Sequence, residues 1–173
     1  MRLFDFLFKK KDTSFVGIRY CATGVFGYSF KNGEMKVFNI SSQVLPNPDI
    51  YMNGFNQELV HKHYDGSLTM VPGVRRTIVD RFGKLQGYYE YVALNEYRIV
   101  VGSVMASVKS SENGWKVFNG TKQLAHIHRI PEREIHRFEA SGYDMETTFL
   151  INISKETGLL LYPYIMAIPV LGF

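Results

Sequence analysis

The chain alternates apolar and polar residues around short turns, which is the pattern of antiparallel hairpins. On either side of the polar sequence KNGE at 31–34, Tyr28 and Phe30 are mirrored by Met35 and Val37. This period of two places the apolar side chains of both arms on one face of a sheet. The sequence therefore predicts a half-buried β-hairpin at this turn.

Asparagine or aspartate precedes glycine at five places, and such pairs tolerate the positive φ angles that tight hairpin turns require. The five are Asn32-Gly33, Asn53-Gly54, Asp65-Gly66, Asn113-Gly114 and Asn119-Gly120. The apolar runs that indicate strands include residues 77–79, 85–94, 97–108, 115–118, 124–130 and 147–153, whereas 47–56 and 131–141 look irregular or briefly helical. Many short strands without a fixed-period repeat predict one mainly β domain over residues 12–173.

The C-terminal segment breaks the strand pattern. Residues 158–173 carry no charged side chain, and they are too few to span the hydrocarbon core of a bilayer. A helix over about 155–171 would be apolar on every face and would have to be enclosed, which strands achieve by curling into a closed antiparallel barrel. Pro163 would kink such a helix unless it lies in the first turn of a second, short helix. The alternative is a buried strand pair, Leu159–Leu161 and residues 165–171.

Composition and charge narrow the class of protein. The single Cys21 excludes an internal disulfide, fits a reducing compartment and is expected to be buried or half-buried. The net charge of +4 favours anionic partners without marking a nucleic-acid-binding protein. Aromatic residues at this density favour a barrel wall over a base-stacking surface, so no nucleic-acid partner is expected. The predicted location is cytoplasmic.

Residues 1–11 read MRLFDFLFKKK and form an amphipathic, basic segment. If helical, the segment places Phe4, Leu7 and Phe8 on one face, and the cluster of lysines at 9–11 follows. An interfacial helix over anionic lipid has this character, and a frayed end or a first strand docked by its phenylalanines is the alternative. We expect Phe4, Leu7 and Phe8 to contact a membrane and Lys9, Lys10 and Lys11 to contact its anionic headgroups.

Three segments carry a resemblance to a known superfamily. They are TIVDRFGKLQGYYEYVALNEYRIVV at 77–101, GWKVFNGTKQLAHIHR at 114–129 and TTFLINISKETGLLLYPYIMAIPVL at 147–171. With its D-x-x-G strand pair, later tryptophan strand and terminal apolar segment, the chain resembles the tubby C-terminal-like superfamily, in particular its LURP-one-related and bacterial members. The resemblance implies a 12-stranded closed barrel around a central C-terminal helix. It also implies binding of phosphoinositides or action at membranes, rather than catalysis.

Basic residues of the resembling region are the candidates for anion binding. Arg75, Arg76 and Lys84 can meet phosphate groups, since adjacent cations on one surface raise the local affinity for anions. Together with Lys9, Lys10 and Lys11 they form the predicted lipid-binding or anion-binding set.

Two His-x-His pairs raise a metal-binding alternative. His61 with His63 and His126 with His128 each place two imidazoles on the same side of a strand. Glu132 adds a carboxylate at the spacing of the first cupin motif, although no second cupin motif follows. The alternative is therefore a cupin-like metal-binding protein or enzyme that uses His126, His128 and Glu132.

Other catalytic patterns are missing from the sequence, which has no Gly-rich phosphate loop, no G-x-S-x-G elbow, no C-x-x-C and no H-E-x-x-H. The sequence thus favours a non-catalytic binding module without a cofactor. Its expected partner is the anionic inner surface of a membrane or another protein.

Overall fold

The structure is a computed structural model that describes residues 12–44, 48–62, 71–134 and 147–171. Strands dominate these residues. They are β1 (Thr13–Ala22), β2 (Val25–Asn32), β3 (Met35–Gln43), β4 (Ile50–Gly54), β5 (Gln57–His61), β6 (Arg75–Asp80), β7 (Leu85–Ala93), β8 (Glu96–Val101), β9 (Val104–Ser111), β10 (Gly114–Asn119), β11 (Lys122–Arg129) and β12 (Thr147–Ile153).

The twelve strands form one closed antiparallel barrel. Each strand pairs with its neighbours in the sequence, and β1 closes the sheet by pairing with β12, with Thr13 opposite Ile153. This confirms the predicted mainly β, closed architecture. Because every strand has a partner on both sides, no sheet edge is left open among the described strands.

The barrel has two ends that are distinguished by the direction of β1. We call the end at which β1 begins the lower end, and it carries the turns at 33–34, 55–56, 81–84, 102–103 and 120–121. The upper end carries the turns at 23–24, 94–95 and 112–113. The chain therefore enters the barrel at Asp12 on the lower end.

Most of the predicted hairpins are present. Asn32-Gly33 lies at the β2–β3 connection, where Gly33 has φ +56°, and Asn119-Gly120 lies at β10–β11, where Gly120 has φ +60°. Asn113-Gly114 joins β9 to β10. The pair Asp65-Gly66 lies outside the described residues.

The stretch 47–56 was expected to be irregular or briefly helical, and over residues 50–54 this expectation is wrong. Ile50–Gly54 form β4, whose hairpin with β5 turns at Phe55 and Asn56 rather than at Asn53-Gly54. Phe55 and Asn56 both adopt positive φ angles, +51° and +61°, as a two-residue hairpin turn with the matching twist requires. Phe55 is tolerated there because its side chain is buried against Tyr162, with ring centroids 5.1 Å apart.

The C-terminal plug, residues 159–171, fills the barrel. A 3₁₀ turn at Leu159–Leu161 leads into a short helix α1 (Tyr162–Ala167), which has Pro163 in its first turn. Every residue of α1 is buried. The described helical residues are fewer than the expected span of about 155–171, because α1 begins at Tyr162, with Pro163 in its first turn, and no longer helix runs through the proline.

Packing around the plug explains why the uncharged segment lies inside. Ile165, Met166 and Ile168 are completely buried among inward-facing residues of the wall. Fully burying one such side chain contributes about 1.5–3 kcal/mol. Cys21 is exposed, contrary to expectation, because it lies beside the β1–β2 turn at the upper end of the wall.

Candidate functional site

Arg75 and Arg76 do not share a surface. They are consecutive residues of β6, and consecutive side chains of a strand point to opposite faces of the sheet. Arg75 lies on the outer face, where its guanidinium is 4.3 Å from the centroid of the Tyr88 ring and its Nε is 3.9 Å from Glu90 Oε1. The expected pair of adjacent surface cations is therefore not formed.

Arg76 holds the end of the C-terminal plug. Its Nη1 donates a hydrogen bond of 2.7 Å to the backbone oxygen of Leu171, just beyond α1. A cation near the C-terminal end of a helix also interacts favourably with the helix dipole. Arg76 thus has a structural partner inside the upper end of the barrel.

The outer face near Arg75 carries one carboxylate between two arginines. Glu90 lies between two arginines, since its Oε2 is also 3.7 Å from Arg98 Nη1. The side chain of Glu90 is mostly buried whereas both arginines are about half exposed. Glu90 therefore offsets one of the two positive charges, and both guanidiniums lie within ion-pair distance of it.

Lys84 lies at the other end of the β6–β7 hairpin from Arg75. It belongs to the turn at 81–84, where its backbone N–H donates a 3.0 Å hydrogen bond to Asp80 Oδ1. The structure therefore places Lys84 at the lower end of the barrel, apart from Arg75 and Arg76.

The predicted membrane-contact residues Phe4, Leu7 and Phe8 and the lysines at 9–11 lie outside the described residues. Their point of attachment is described, because Asp12 Oδ1 accepts a 3.0 Å hydrogen bond from the Lys155 backbone N–H. Asp12 and Lys84 are both at the lower end. Lys84 is thus the one described member of the predicted set that lies at the end where Asp12 leads into β1.

Other charged residues accompany Lys84 at the lower end. Arg81 Nη1 lies 3.5 Å from Glu58 Oε2, and Lys122 forms an ion pair with Glu156. A cleft of about 410 Å³ is lined by Glu58, Arg81 and Phe82, among others. This end therefore combines paired charges, a surface cleft and the exposed Lys84.

Phe82 is the residue that sequence reasoning missed. Its side chain is 79% exposed at the apex of the β6–β7 turn, and the Arg81 guanidinium lies 4.7 Å from its ring centroid. The sequence could have indicated Phe82, because DRFGK places an aromatic residue inside a predicted turn. A turn residue lies outside the alternation that directs strand side chains into the core.

The histidine pair of β11 is formed as predicted. His126 and His128 lie on the same face of the strand, and their ring centroids are 3.6 Å apart. Partial burial, with contributions from His128 and Lys116, lowers the pKa of His126 below its ordinary value. A neutral imidazole is the form that binds metals.

A complete metal site is not formed by the described residues, which contain no cluster of three or more His, Cys, Asp or Glu side chains suited to a metal ion. Glu132 begins a 3₁₀ turn, Glu132–Glu134, shortly after β11. In the other His-x-His pair, His61 is buried and His63 lies outside the described residues.

Within the described part of the chain, no helix has both the length and the apolar character needed to cross a bilayer. Comparisons with known proteins found no matching family model, no matching curated protein and no matching solved structure.

Proposed function

We propose that this chain is a non-catalytic binding module that attaches to an anionic membrane surface, the inner face of the cell membrane, through the lower end of its barrel. The observation that carries the proposal is a shared location. The basic, aromatic segment 1–11 joins the barrel at Asp12, on the same end as the exposed Lys84.

The closed sheet and the filled interior favour contacts at the ends. A partner cannot add a strand to a barrel whose described strands are all paired, and the plug occupies the space where an internal ligand would bind. Contacts are thus left to the outer face and the two ends. Of the two ends, the lower one is joined to residues 1–11.

The charges set the expected strength of attachment. Each lysine or arginine near an anionic membrane surface contributes about 1 kcal/mol, so Lys9, Lys10, Lys11 and Lys84 together supply about 4 kcal/mol. That corresponds to a dissociation constant of roughly 1 mM. Burial of Phe4, Leu7 or Phe8 would add about 1.5–3 kcal/mol for each side chain. Attachment therefore needs both the charges and the apolar residues.

Flotation with vesicles tests this proposal. The full chain should float with vesicles of phosphatidylcholine mixed with phosphatidylglycerol, and less with phosphatidylcholine alone. A chain without residues 1–11 should float less, and raising the salt concentration should weaken the attachment of the full chain. If the full chain does not float with either vesicle, the proposal is wrong, and a protein partner is the alternative to pursue.

The proposal includes kinship with the tubby-like barrel proteins. A twelve-stranded closed barrel around a C-terminal helix is compatible with that kinship, but the shape alone does not identify a family. Basic residues at the lower end would then serve the membrane-related role that the resemblance implies.

Metal binding is a second candidate function, favoured by the proximity of His126 and His128. Two imidazoles two residues apart on a strand can chelate one transition-metal ion, with Glu132 as the proposed third ligand. Calorimetric titration with Zn²⁺ or Ni²⁺ should show binding that is lost in His126→Ala. An absence of binding heat in the unmodified chain would remove this candidate.

A further inference from the structure

The β6–β7 turn at the lower end is held rigidly. The Asp80 carboxylate accepts hydrogen bonds from the backbone N–H groups of Phe82, at 2.9 Å, and Lys84, at 3.0 Å, and from Gln86 Nε2 at 2.9 Å. Two backbone hydrogen bonds of 2.9 Å also hold the turn: Gly83 N–H donates to the backbone oxygen of Asp80, and Asp80 N–H donates to the backbone oxygen of Lys84. The outward position of Phe82 is thus set by a well-bonded turn.

Phe55 shows that an aromatic side chain in a turn at this end of the barrel can be buried. Phe55 also lies in a lower-end turn, yet it folds inward and is only 5% exposed, packed on Phe15 and Tyr162. Phe82 instead projects outward at 79% exposure, and Leu85, three residues later at the start of β7, is 57% exposed. The tip of the β6–β7 hairpin thus presents two exposed apolar side chains, which makes it a candidate contact surface.

Lys84 is the charge beside Phe82 that most favours an anionic partner. Arg81 and Lys84 flank Phe82 within one turn; Arg81 lies 3.5 Å from Glu58 in an exposed ion pair, and the Asp80 carboxylate accepts hydrogen bonds from the N–H groups of the turn. The similarly exposed Leu94, in the β7–β8 turn at the opposite end, is instead followed by Asn95 and Glu96. Aromatic side chains between cations suit the interface of an anionic bilayer, where rings enter the acyl boundary and cations meet phosphates.

We propose that the β6–β7 turn is a membrane-insertion tip, in which Phe82 and Leu85 enter the interface of an anionic bilayer while Arg81 and Lys84 contact the headgroups. The inference rests on the proposed function, which places the lower end against the membrane. It adds a second contact to the segment 1–11, and two contacts on one end are what stable attachment requires when each alone is weak.

The test compares Phe82→Ser with the matched control Leu94→Ser in the full chain. Vesicles of phosphatidylcholine mixed with phosphatidylglycerol should bind Phe82→Ser roughly tenfold or more weakly than the unmodified chain, because the burial of one phenylalanine is lost. Leu94→Ser should bind as the unmodified chain does. Circular dichroism should show both variants folded, since both side chains are exposed.

A fluorescence measurement gives an independent readout. Trp115, the chain's single tryptophan, is only 3% exposed and provides a constant background. In Phe82→Trp, the emission of the added tryptophan should shift to the blue when the mixed vesicles are present. In Leu94→Trp, the emission of the added tryptophan should not shift. If the unmodified chain floats but Phe82→Ser binds equally well and Phe82→Trp does not shift, the insertion tip is wrong while membrane attachment stands. If the unmodified chain does not float, both proposals fall.

Discussion

Two tyrosines inside the barrel should respond in opposite ways to the loss of a hydroxyl group. Tyr89 on β7 donates a 2.7 Å hydrogen bond from its hydroxyl to the backbone oxygen of Tyr164 in α1. The Tyr164 hydroxyl is also buried but has no hydrogen-bond partner among the described residues. Burial raises the pKa of both side chains, so both are neutral at physiological pH.

The expected magnitudes follow from these two environments. Tyr89→Phe leaves a buried carbonyl of the plug without its donor, which costs about 1–3 kcal/mol of the free energy of unfolding. Tyr164→Phe removes a buried hydroxyl whose unpaired burial costs about 1–3 kcal/mol. The removed oxygen also packs near Gly87, where a Cβ would come within 2.7 Å of it, so some contact energy is lost. We expect Tyr164→Phe to be more stable than the unmodified chain by about 1 kcal/mol.

Chemical denaturation of the two variants beside the unmodified chain measures both changes. For a chain of this size, about 1 kcal/mol also corresponds to a shift of roughly 2–4 °C in the thermal midpoint. The unfolding midpoint, in denaturant or in temperature, should fall for Tyr89→Phe and rise for Tyr164→Phe. If Tyr164→Phe loses as much stability as Tyr89→Phe, its hydroxyl is satisfied in solution and the reasoning from unpaired burial is refuted.

Three further predictions use the same unfolding measurement. Ile165→Ala should lower the free energy of unfolding by about 2–5 kcal/mol because a core side chain is removed. Leu160 is exposed in the same segment, so Leu160→Ala should change it by less than about 0.5 kcal/mol. Equal losses would contradict the enclosed plug. Arg76→Ala should cost about 1–2 kcal/mol through its charged hydrogen bond to the plug, and Arg75→Ala less than about 1 kcal/mol; the reverse order would contradict the assigned faces. The fold lowers the pKa of His126, so protons bind the unfolded chain preferentially. The free energy of unfolding should therefore fall as the pH drops below about 6.5, and it should fall less in His126→Gln. Identical pH profiles of the two chains would refute the lowered pKa.

The hairpins and the closure of the barrel were predictable because they depend on local rules and on one burial argument. Asn-Gly pairs between alternating arms determine where the chain reverses, as at Gly33 and Gly120. An uncharged terminal segment then needs enclosure, and a set of antiparallel strands with no other large helix encloses it by closing. Neither step needs knowledge of side-chain packing.

The strand β4 was missed because its signal is not local. Ile50–Gly54 is only five residues long and ends in Asn53-Gly54, a pair that indicates a turn. The turn shifts by two residues because Phe55 gains burial against the plug, which offsets its unfavourable positive φ. Such a tertiary contact cannot be read from a window of ten residues.

The separation of Arg75 from Arg76 was predictable from the sequence alone. Alternation along a strand separates Arg75 from Arg76, so grouping the two on one surface conflicts with the strand predicted to begin beside them. The role of Arg76 depends on the position of the Leu171 carbonyl, almost a hundred residues later in the sequence, and only the fold brings the two together.

The same feature that hides the plug also limits where the chain can bind a partner. A barrel with every described strand paired and its interior occupied has neither an edge nor a lumen to offer, so binding depends on turns and ends, which vary without disturbing the core. Phe55 and Phe82 show this division within a single end, since the inward ring completes the packing around α1 and the outward one contributes nothing to it. This division is why we propose Phe82, and not Phe55, as the aromatic side chain of the lower end that meets the membrane.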